Sequence, residues 1–326
     1  MGEATAIEWT DHTFNPWWGC TRVPRLPDAP GSACDHCYAA TLAQRFGVRW
    51  GANSAPRLFE AKHWNNPIRW DRKAKAEGAR RRVFCASMGD VFERRDNEHD
   101  ATLDEQRVRL WPLIEACDGL DWQLLTKRPE NVPGMVPPAW LESWPAHVHV
   151  GTTIACQEDA DARIPDLLRV PARVRFVSAE PLLGPVDLSP WLGDSASECG
   201  CVACEEGYTC PAGRAAMPGL AWVIVGGESG NGARPMHPQW VRDIRDQCGR
   251  ASTPFLFKQW GEWVEVAPDY GAPGDRWLLP EPLGMVPYVP GDGRWYTAPL
   301  MRRAGKHAAG RELDGRTHDG FPAGDG

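Results

Sequence analysis

The sequence lacks a hydrophobic run long enough to cross a membrane. None of the apolar stretches among its 326 residues approaches the roughly 18 residues that a membrane-spanning helix needs. The opening residues carry acids and lack the apolar block of a secretory signal peptide. We therefore expect an intracellular, cytoplasmic protein with no membrane partner.

Internal repeats and long low-complexity tracts are also lacking before the C-terminal tail. Hydrophobic residues make up 42% of the chain and charged residues 24%, so the chain is able to bury a sizeable core. The net charge of -7 is unevenly distributed, because residues 1–130 hold 19 basic and 19 acidic side chains and all the excess acidity follows them. This charge balance allows a local basic surface that binds a polyanion. It excludes a protein that coats nucleic acid non-specifically over its whole surface.

Short apolar runs recur along the chain, and several are separated by segments with helical spacing, such as Tyr38, Leu42 and Phe46. Alternation of strands and helices implies a parallel sheet, so we predict an α/β fold with a partial or complete parallel (β/α) barrel. We place this single barrel domain at residues 1–300, with a Cys-rich insertion at about 192–218 and a Gly-rich tail at 301–326. The seven runs are Thr13 to Trp18, Val83 to Ala86, Trp122 to Leu125, Val148 to Thr152, Val174 to Val177, Trp222 to Val225 and Phe255 to Phe257.

Polar or glycine-containing turns follow these runs at their downstream ends. In an α/β barrel the active site is assembled where the strands end, on one face of the barrel. We therefore expect a common site there, although solvation of strand ends would also explain polar residues. The candidate residues are Met88, Gly89, Asp90, Lys127, Thr153, Glu180, Glu228 and Lys258.

Three cysteines near the start form a candidate metal site. The chain has 11 cysteines, an odd count that suits a disulfide framework poorly. Cys20 ends the first run, and Cys34 and Cys37 form a C-x2-C pair at the start of a predicted helix. Three thiolates without a fourth suit a [4Fe-4S] cluster with one open iron. A zinc site completed by His12 or His36, or a set of inert thiols, is the alternative.

A second cysteine cluster lies inside the insertion. Cys199, Cys201, Cys204 and Cys210 fall within 12 residues, a spacing that suits one tetrahedral zinc ion stapling a loop without a core. Zinc is the expected metal, and an auxiliary iron–sulfur cluster or no metal is the alternative. The other four cysteines, Cys85, Cys117, Cys156 and Cys248, are predicted to be packing residues.

Several motifs together resemble the phage Gp37/Gp68 family, which has a three-cysteine motif. The resemblance runs from about residue 7 to residue 316. That family in turn is similar to radical S-adenosylmethionine (SAM) enzymes, which are partial α/β barrels with three cysteines after the first strand. The motifs are Ile7 to Thr10, Asn15 to Cys20, Cys34 to Ala39, Thr126 to Asn131, Arg175 to Leu182, Val225 to Gly230, Lys258 to Gly261 and Gly310 to Arg316.

The resemblance implies that Cys20, Cys34 and Cys37 hold a [4Fe-4S] cluster whose open iron binds SAM. An electron donor would reduce the cluster, and a 5′-deoxyadenosyl radical would then abstract hydrogen from an unknown substrate, with a nucleobase or nucleic acid among the candidates. From their places at the strand ends, we expect Met88, Gly89, Asp90, Lys127 and Thr153 to bind the cofactor and Glu180, Glu228 and Lys258 to be catalytic. Pairing of Lys127, Arg128 and Lys258 with Glu180 and Glu228 across the mouth of the barrel is the alternative.

Two features differ from those enzymes. Cys20 and Cys34 are separated by 13 residues, where three are usual, and the Gly-Gly-Glu motif ending at Glu228 follows the sixth run, not the second. Two other functions therefore stay open. One is a non-catalytic zinc-binding, nucleic-acid-binding protein, and the other is a barrel hydrolase that uses Asp90, Glu180 and Glu228.

Overall fold

The computed structural model of the chain describes residues 5–193, 219–267, 270–279, 285–289 and 298–322. Among these residues, no helix combines the length and apolar character needed to span a bilayer.

The fold is organised by a seven-stranded parallel sheet whose strands follow one another in chain order. The sheet curls into a half-barrel with β1 and β7 at its two edges. Each strand overlaps one of the seven apolar runs, so the predicted partial (β/α) barrel is confirmed. The strands are β1 (His12–Thr13), β2 (Arg81–Cys85), β3 (Leu120–Thr126), β4 (Val148–Ile154), β5 (Arg175–Ala179), β6 (Trp222–Gly226) and β7 (Phe255–Gln259).

Helices connect the strands, as the alternating pattern predicted. Short 3-10 turns at Pro129–Asn131 and Ser189–Trp191 complete the connections. The helices are α1 (Tyr38–Arg45), α2 (Ala61–Trp64), α3 (Asn66–Ala76), α4 (His99–Ala116), α5 (Val132–Met135), α6 (Pro138–Glu142), α7 (Gln157–Leu168), α8 (Pro238–Arg250) and α9 (Lys306–Ala309).

The strands bury both of their faces. In β6, Val223 and Val225 belong to the main core, which also holds the buried faces of α4, α7 and α8. Trp222 and Ile224 alternate with them and join a separate cluster with Trp9, as the two-residue period of a strand requires. This second cluster lies on the inner side of the half-barrel and consists of Trp9, Phe84, Phe176, Trp222, Ile224 and Leu256.

Of the apolar face predicted for the first helix, Tyr38 and Phe46 are exposed, whereas Leu42 is partly buried against Trp18 and Met88. Tyr38 is 54% exposed and Phe46 is 60% exposed, whereas Ala39 and Ala43 are buried. The spacing correctly predicted a helix here, but small residues form its buried face because α1 packs closely against Trp18 and Met88. The outward face of α1 is therefore free to line a groove.

A small antiparallel sheet follows the half-barrel. Its strand order is β10-β9-β11-β8. Residues 301–322, which the sequence assigned to the tail, contribute most of β11 and then run along the edge of β7, where the Phe257 amide donates to His318 O and the Gly320 amide donates to Phe255 O. The strands are β8 (Trp263–Val266), β9 (Arg276–Leu278), β10 (Met285–Pro287) and β11 (Leu300–Arg303).

Four cysteines are packing residues, as predicted. Each of Cys85, Cys117, Cys156 and Cys248 is at most 1% exposed. Burial raises the pKa of Cys117, Cys156 and Cys248 to about 12, so all three are thiols at neutral pH. The four cysteines of the insertion, Cys199, Cys201, Cys204 and Cys210, lie outside the described residues.

Candidate functional site

A cavity of about 360 Å3 opens at the carboxyl ends of the parallel strands. Cys20, Cys34 and Cys37 all line this cavity, so the structure brings the three candidate ligands to one site. The volume is within the range of about 300–1,000 Å3 that small-molecule and cofactor sites occupy. The strand-end residues that share the lining are Gly89, Asp90, Lys127, Thr153, Glu180, Glu228 and Lys258.

Met88 is the one strand-end candidate that the cavity lining does not include. Its side chain is 1% exposed and packs with Trp18, Ala39 and Ala43. Its backbone carbonyl accepts a hydrogen bond from the Gly19 amide at 3.0 Å. Met88 therefore joins the turn after β2 to the segment that carries Cys20.

Cys20 is held at the cavity by residues that follow β2 and β3. The amide of Thr21 donates to a carboxylate oxygen of Glu93 at 2.6 Å, and the Thr21 carbonyl accepts from Arg128 at 2.8 Å. Glu93 is itself paired with Arg95, and both side chains are fully buried. These contacts fix the segment that carries Cys20 at the cavity that Cys34 and Cys37 also line, although 13 residues separate Cys20 from Cys34.

The thiol of Cys20 is protonated at neutral pH. Its Sγ lies 3.2 Å from Thr21 O, as expected for a donated hydrogen bond. Burial, together with the nearby carboxylates of Glu93 and Asp90, raises the pKa of Cys20 far above its usual range. A metal centre bound here would have to displace this proton.

The C-x2-C loop is fixed by local hydrogen bonds. The Cys34 amide donates to the Ser32 hydroxyl at 3.1 Å, and the Ser32 amide donates to Asp35 at 2.8 Å. Cys37 directly precedes α1, and Cys34 is buried. The two thiols are thus presented from one short, ordered turn.

Asp90 joins the ends of β2 and β3. One of its carboxylate oxygens accepts from the Thr126 hydroxyl at 2.8 Å and the Phe92 amide at 3.0 Å. The other accepts from the Lys127 amide at 3.1 Å and from Arg128 at 2.9 Å. Because four donors already saturate the carboxylate, Asp90 orders the turn that carries Lys127.

Glu180 and Lys258 form an ion pair across the cavity wall. Lys258 Nζ lies 2.8 Å from Glu180 Oε1, and the Ser178 hydroxyl donates to Glu180 Oε2 at 2.9 Å. Glu180 directly follows β5 and Lys258 is the penultimate residue of β7, so their side chains converge over the end of the intervening strand β6. Gly226 ends β6, and a Cβ built there would lie 2.7 Å from Glu180 Oε1. Glycine at this position leaves room for the pair.

Glu228 binds the C-x2-C loop through two partners. Its Oε2 lies 3.0 Å from His36 Nδ1, and Arg234 donates to both of its oxygens at 2.7 and 2.9 Å. Arg234 also pairs with Asp35 at 2.9 Å. Burial alone would raise the pKa of Glu228, but the hydrogen bonds from Arg234 and His36 outweigh it and hold that pKa below its usual value. Glu228 is therefore an ionised anchor for the cysteine loop.

A family model described as "Protein of unknown function (DUF5131)" matches residues 4–322, nearly the whole chain. The chain belongs to the DUF5131 family. No curated protein and no solved structure matches it.

The side chains of this DUF5131 protein that could bind a metal ion are the three cysteines and two nearby histidines, His12 and His36. Within the described ranges, no three His, Cys, Asp or Glu side chains are arranged to hold a single metal ion. His12 is stacked on Trp70, with ring centroids 4.4 Å apart, and His36 is bonded to Glu228. A single zinc ion needs its ligands about 2.3 Å away, whereas cluster thiolates bind different irons and stand further apart. Cys20, Cys34 and Cys37 therefore share one cavity without forming a single-ion site among the described residues.

Sequence reasoning missed two residues that order the DUF5131 site. Glu93 holds the Cys20 segment, and Arg234 holds the C-x2-C loop. Both lie in loops where a single charged residue has no periodic context, so the sequence alone carried no signal for either role.

Proposed function

We propose that this protein is a radical SAM-like iron–sulfur enzyme of the phage Gp37/Gp68 group. Cys20, Cys34 and Cys37 would hold a [4Fe-4S] cluster, and SAM would bind beside it. The observation that carries the proposal is that all three cysteines line one cavity together with strand-end residues from β2 to β7. An enzyme built on a partial barrel needs its cofactor ligands and its substrate-binding residues together at the carboxyl ends of the strands.

When bound, the cluster and SAM would supply one-electron cleavage of SAM to methionine and a radical that takes a hydrogen atom from the substrate. The electron comes from an external one-electron donor, which is the protein partner that the reaction needs. The protein contributes binding, orientation and exclusion of water.

Exclusion of water is supported by the inner part of the cavity. Ile7, Trp9, Phe84 and Leu125 line it, and Trp9 and Phe84 are buried, with ring centroids 4.6 Å apart. An apolar floor of this kind leaves few polar partners for water.

Lys127 is the residue that we assign to the SAM carboxylate. It lines the cavity and makes no ion pair with any described residue, whereas Lys258 is held by Glu180. Gly89 and Thr153 share this lining and complete the proposed cofactor wall. Asp90 is a positioning residue in this scheme, because its oxygens are saturated by the turn that carries Lys127.

Glu180 and Lys258 are assigned to the substrate. In their ion pair, Lys258 Nζ donates to Glu180 Oε1 inside the cavity, where a substrate hydroxyl or amide would replace one partner. Glu228 acts through the cysteine loop and is a positioning residue, since its oxygens are taken by Arg234 and His36.

These pairings weaken the hydrolase alternative. Asp90, Glu180 and Glu228 are each bound to a cation. For Glu228, whose pKa is held below its usual value by the hydrogen bonds from Arg234 and His36, the carboxylate is a weak proton acceptor. The zinc-protein alternative uses both cysteine clusters, and the four cysteines of the insertion lie outside the described residues.

The test is anaerobic reconstitution with iron and sulfide, followed by analysis of both elements. We expect about four of each per chain for the wild type, and loss of iron in Cys34→Ala, Cys37→Ala and Cys20→Ala. Cys248→Ala is the matched control, because Cys248 is buried away from the cavity, and it should retain iron. Equal iron in all five proteins would refute the ligand assignment.

A further inference from the structure

A wide groove adjoins the cavity along the outward face of α1. Its volume is about 1220 Å3, and it shares Arg22, Cys37, Tyr38, Trp50 and Ser229 with the cavity lining. The groove is therefore continuous with the cavity and forms its open approach.

The groove is basic in a protein whose net charge is -7. Arg22, Arg45 and Arg49 line it and are exposed, and none makes an ion pair with a described residue. The acid in the lining, Asp35, is bound to Arg234. Three free guanidinium groups on one concave surface favour a ligand that carries several negative charges.

The basicity continues into the cavity. Lys127 and Lys306 line the cavity and make no ion pair with a described residue, whereas its acids Asp90, Glu180 and Glu228 are all paired. A ligand that extends from the groove into the cavity therefore meets unpaired positive charge along its whole path.

Flat aromatic surfaces stand among these charges. The Tyr38 ring is 54% exposed, and Trp50 is half-buried where the groove meets the cavity. Exposed aromatic rings next to arginines are the arrangement with which proteins stack the bases of a single strand while neutralising its phosphates. The carboxylates of an acidic protein segment would use the arginines but not the rings, whereas the phosphates and bases of a single strand use both.

We propose that this groove binds single-stranded nucleic acid and presents one base to the cavity. The presentation of the base rests on the function proposed above, whereas the binding does not. A single strand is favoured over a duplex because a base must leave its stack to enter a cavity. A membrane surface is disfavoured because the groove is concave and α1 has only eight residues.

The test is fluorescence anisotropy with a labelled oligonucleotide of about 12 nucleotides, as a single strand and as a duplex. Salt is varied between about 50 and 200 mM. We expect tighter binding of the single strand and affinity that falls with salt. Joint replacement Arg45→Ala and Arg49→Ala should reduce the salt slope by about two. Arg72→Ala, an exposed arginine on α3 away from the groove, is the control and should bind like the wild type.

Substitutions of Trp50 test the contribution of base stacking. Trp50→Ala should weaken single-strand binding about fivefold or more without changing the salt slope. Trp50→Phe keeps a ring and should retain most of the affinity, which separates lost stacking from misfolding. Wild-type affinity in both the arginine and Trp50→Ala variants, or equal affinity for duplex and single strand, would overturn the inference.

The same protein samples separate this inference from the proposed chemistry. If reconstitution loads no iron but the strand binds through Arg45 and Arg49, the groove inference stands and the enzyme proposal fails. If the cluster loads and responds to SAM but the strand does not bind, the groove inference alone fails.

Discussion

Glu228 Oε2 lies 3.0 Å from Nδ1 of His36, a residue between the two cysteines of the C-x2-C pair. This contact ties the end of β6 to the cysteine loop across 192 positions of sequence. The Gly-Gly-Glu motif thus serves the cysteine loop in this protein. Its glycines allow the close packing, and its carboxylate holds His36 and Arg234.

The Glu228 anchor predicts a pH-dependent contribution to stability. The pKa of Glu228 is held below its usual value in the folded protein. Its contribution is therefore complete above the unfolded value of about 4.3 and is lost as the pH falls through the lower, folded pKa. Glu228→Gln should lower the free energy of unfolding by about 1–3 kcal/mol at neutral pH, and the difference should shrink in acid.

Denaturant unfolding of both proteins across pH measures this difference. Glu77→Gln is the control, because Glu77 also has a lowered pKa but is exposed directly after α3, beside Arg81. It should change stability little at any pH. A Glu228→Gln difference that persists unchanged into acid would show that the charge is not responsible.

Two glycine substitutions should act in opposite directions. A Cβ at Gly227 would lie 1.9 Å from Trp260 O, a backbone atom that cannot move aside cheaply. Gly227→Ala should therefore destabilise by at least about 1–3 kcal/mol, the usual cost of overpacking. Gly249 in α8 has nothing within 4 Å of its Cβ position, so Gly249→Ala should stabilise by about 0.5–1 kcal/mol. Urea unfolding measures both, and a stable Gly227→Ala protein would contradict the packing of this turn.

Lys127 should contribute to SAM binding. Removing a charge-assisted contact with the SAM carboxylate should weaken binding by about 1.5–3 kcal/mol. Calorimetry of cluster-loaded Lys127→Ala against the wild type measures this loss. Lys62→Ala, an exposed lysine on α2, is the matched control and should bind SAM normally. Unchanged affinity in Lys127→Ala would remove this residue from the cofactor wall.

Cys20 should react slowly with iodoacetamide in the iron-free protein. The thiolate is the reactive form, and burial beside Glu93 and Asp90 raises the Cys20 pKa and keeps the thiol protonated. Mass spectrometry after timed alkylation at about pH 8 should show Cys20 modified far more slowly than in the urea-unfolded chain. Equal rates in the two states would mean that the segment around Thr21 is not held as described.

The sequence predicted the seven strands because a buried parallel strand is a nearly continuous apolar run, and each run was present. It also predicted that Gly89, Asp90, Lys127, Thr153, Glu180, Glu228 and Lys258 share a cavity, since parallel strands end on one side, but it wrongly included the buried Met88. It did not predict that α1 would bury Ala39 and Ala43 and expose Tyr38, because helical spacing identifies a face but not its neighbour. It did not predict that Arg234 binds Glu228 or that Glu93 holds the segment carrying Cys20. Both residues are distant in sequence from the cysteines that they order and approach them only in the folded protein.

The electron paramagnetic resonance spectrum of the reduced, reconstituted protein, recorded with and without SAM, tests the central claim most directly. The account predicts a reduced [4Fe-4S] signal that changes when SAM is added, because the cluster bound by Cys20, Cys34 and Cys37 keeps one open iron. The variant with all three cysteines changed to alanine should give neither the signal nor the response. A signal that does not change when SAM is added, or that is still present in the triple variant, would contradict the account.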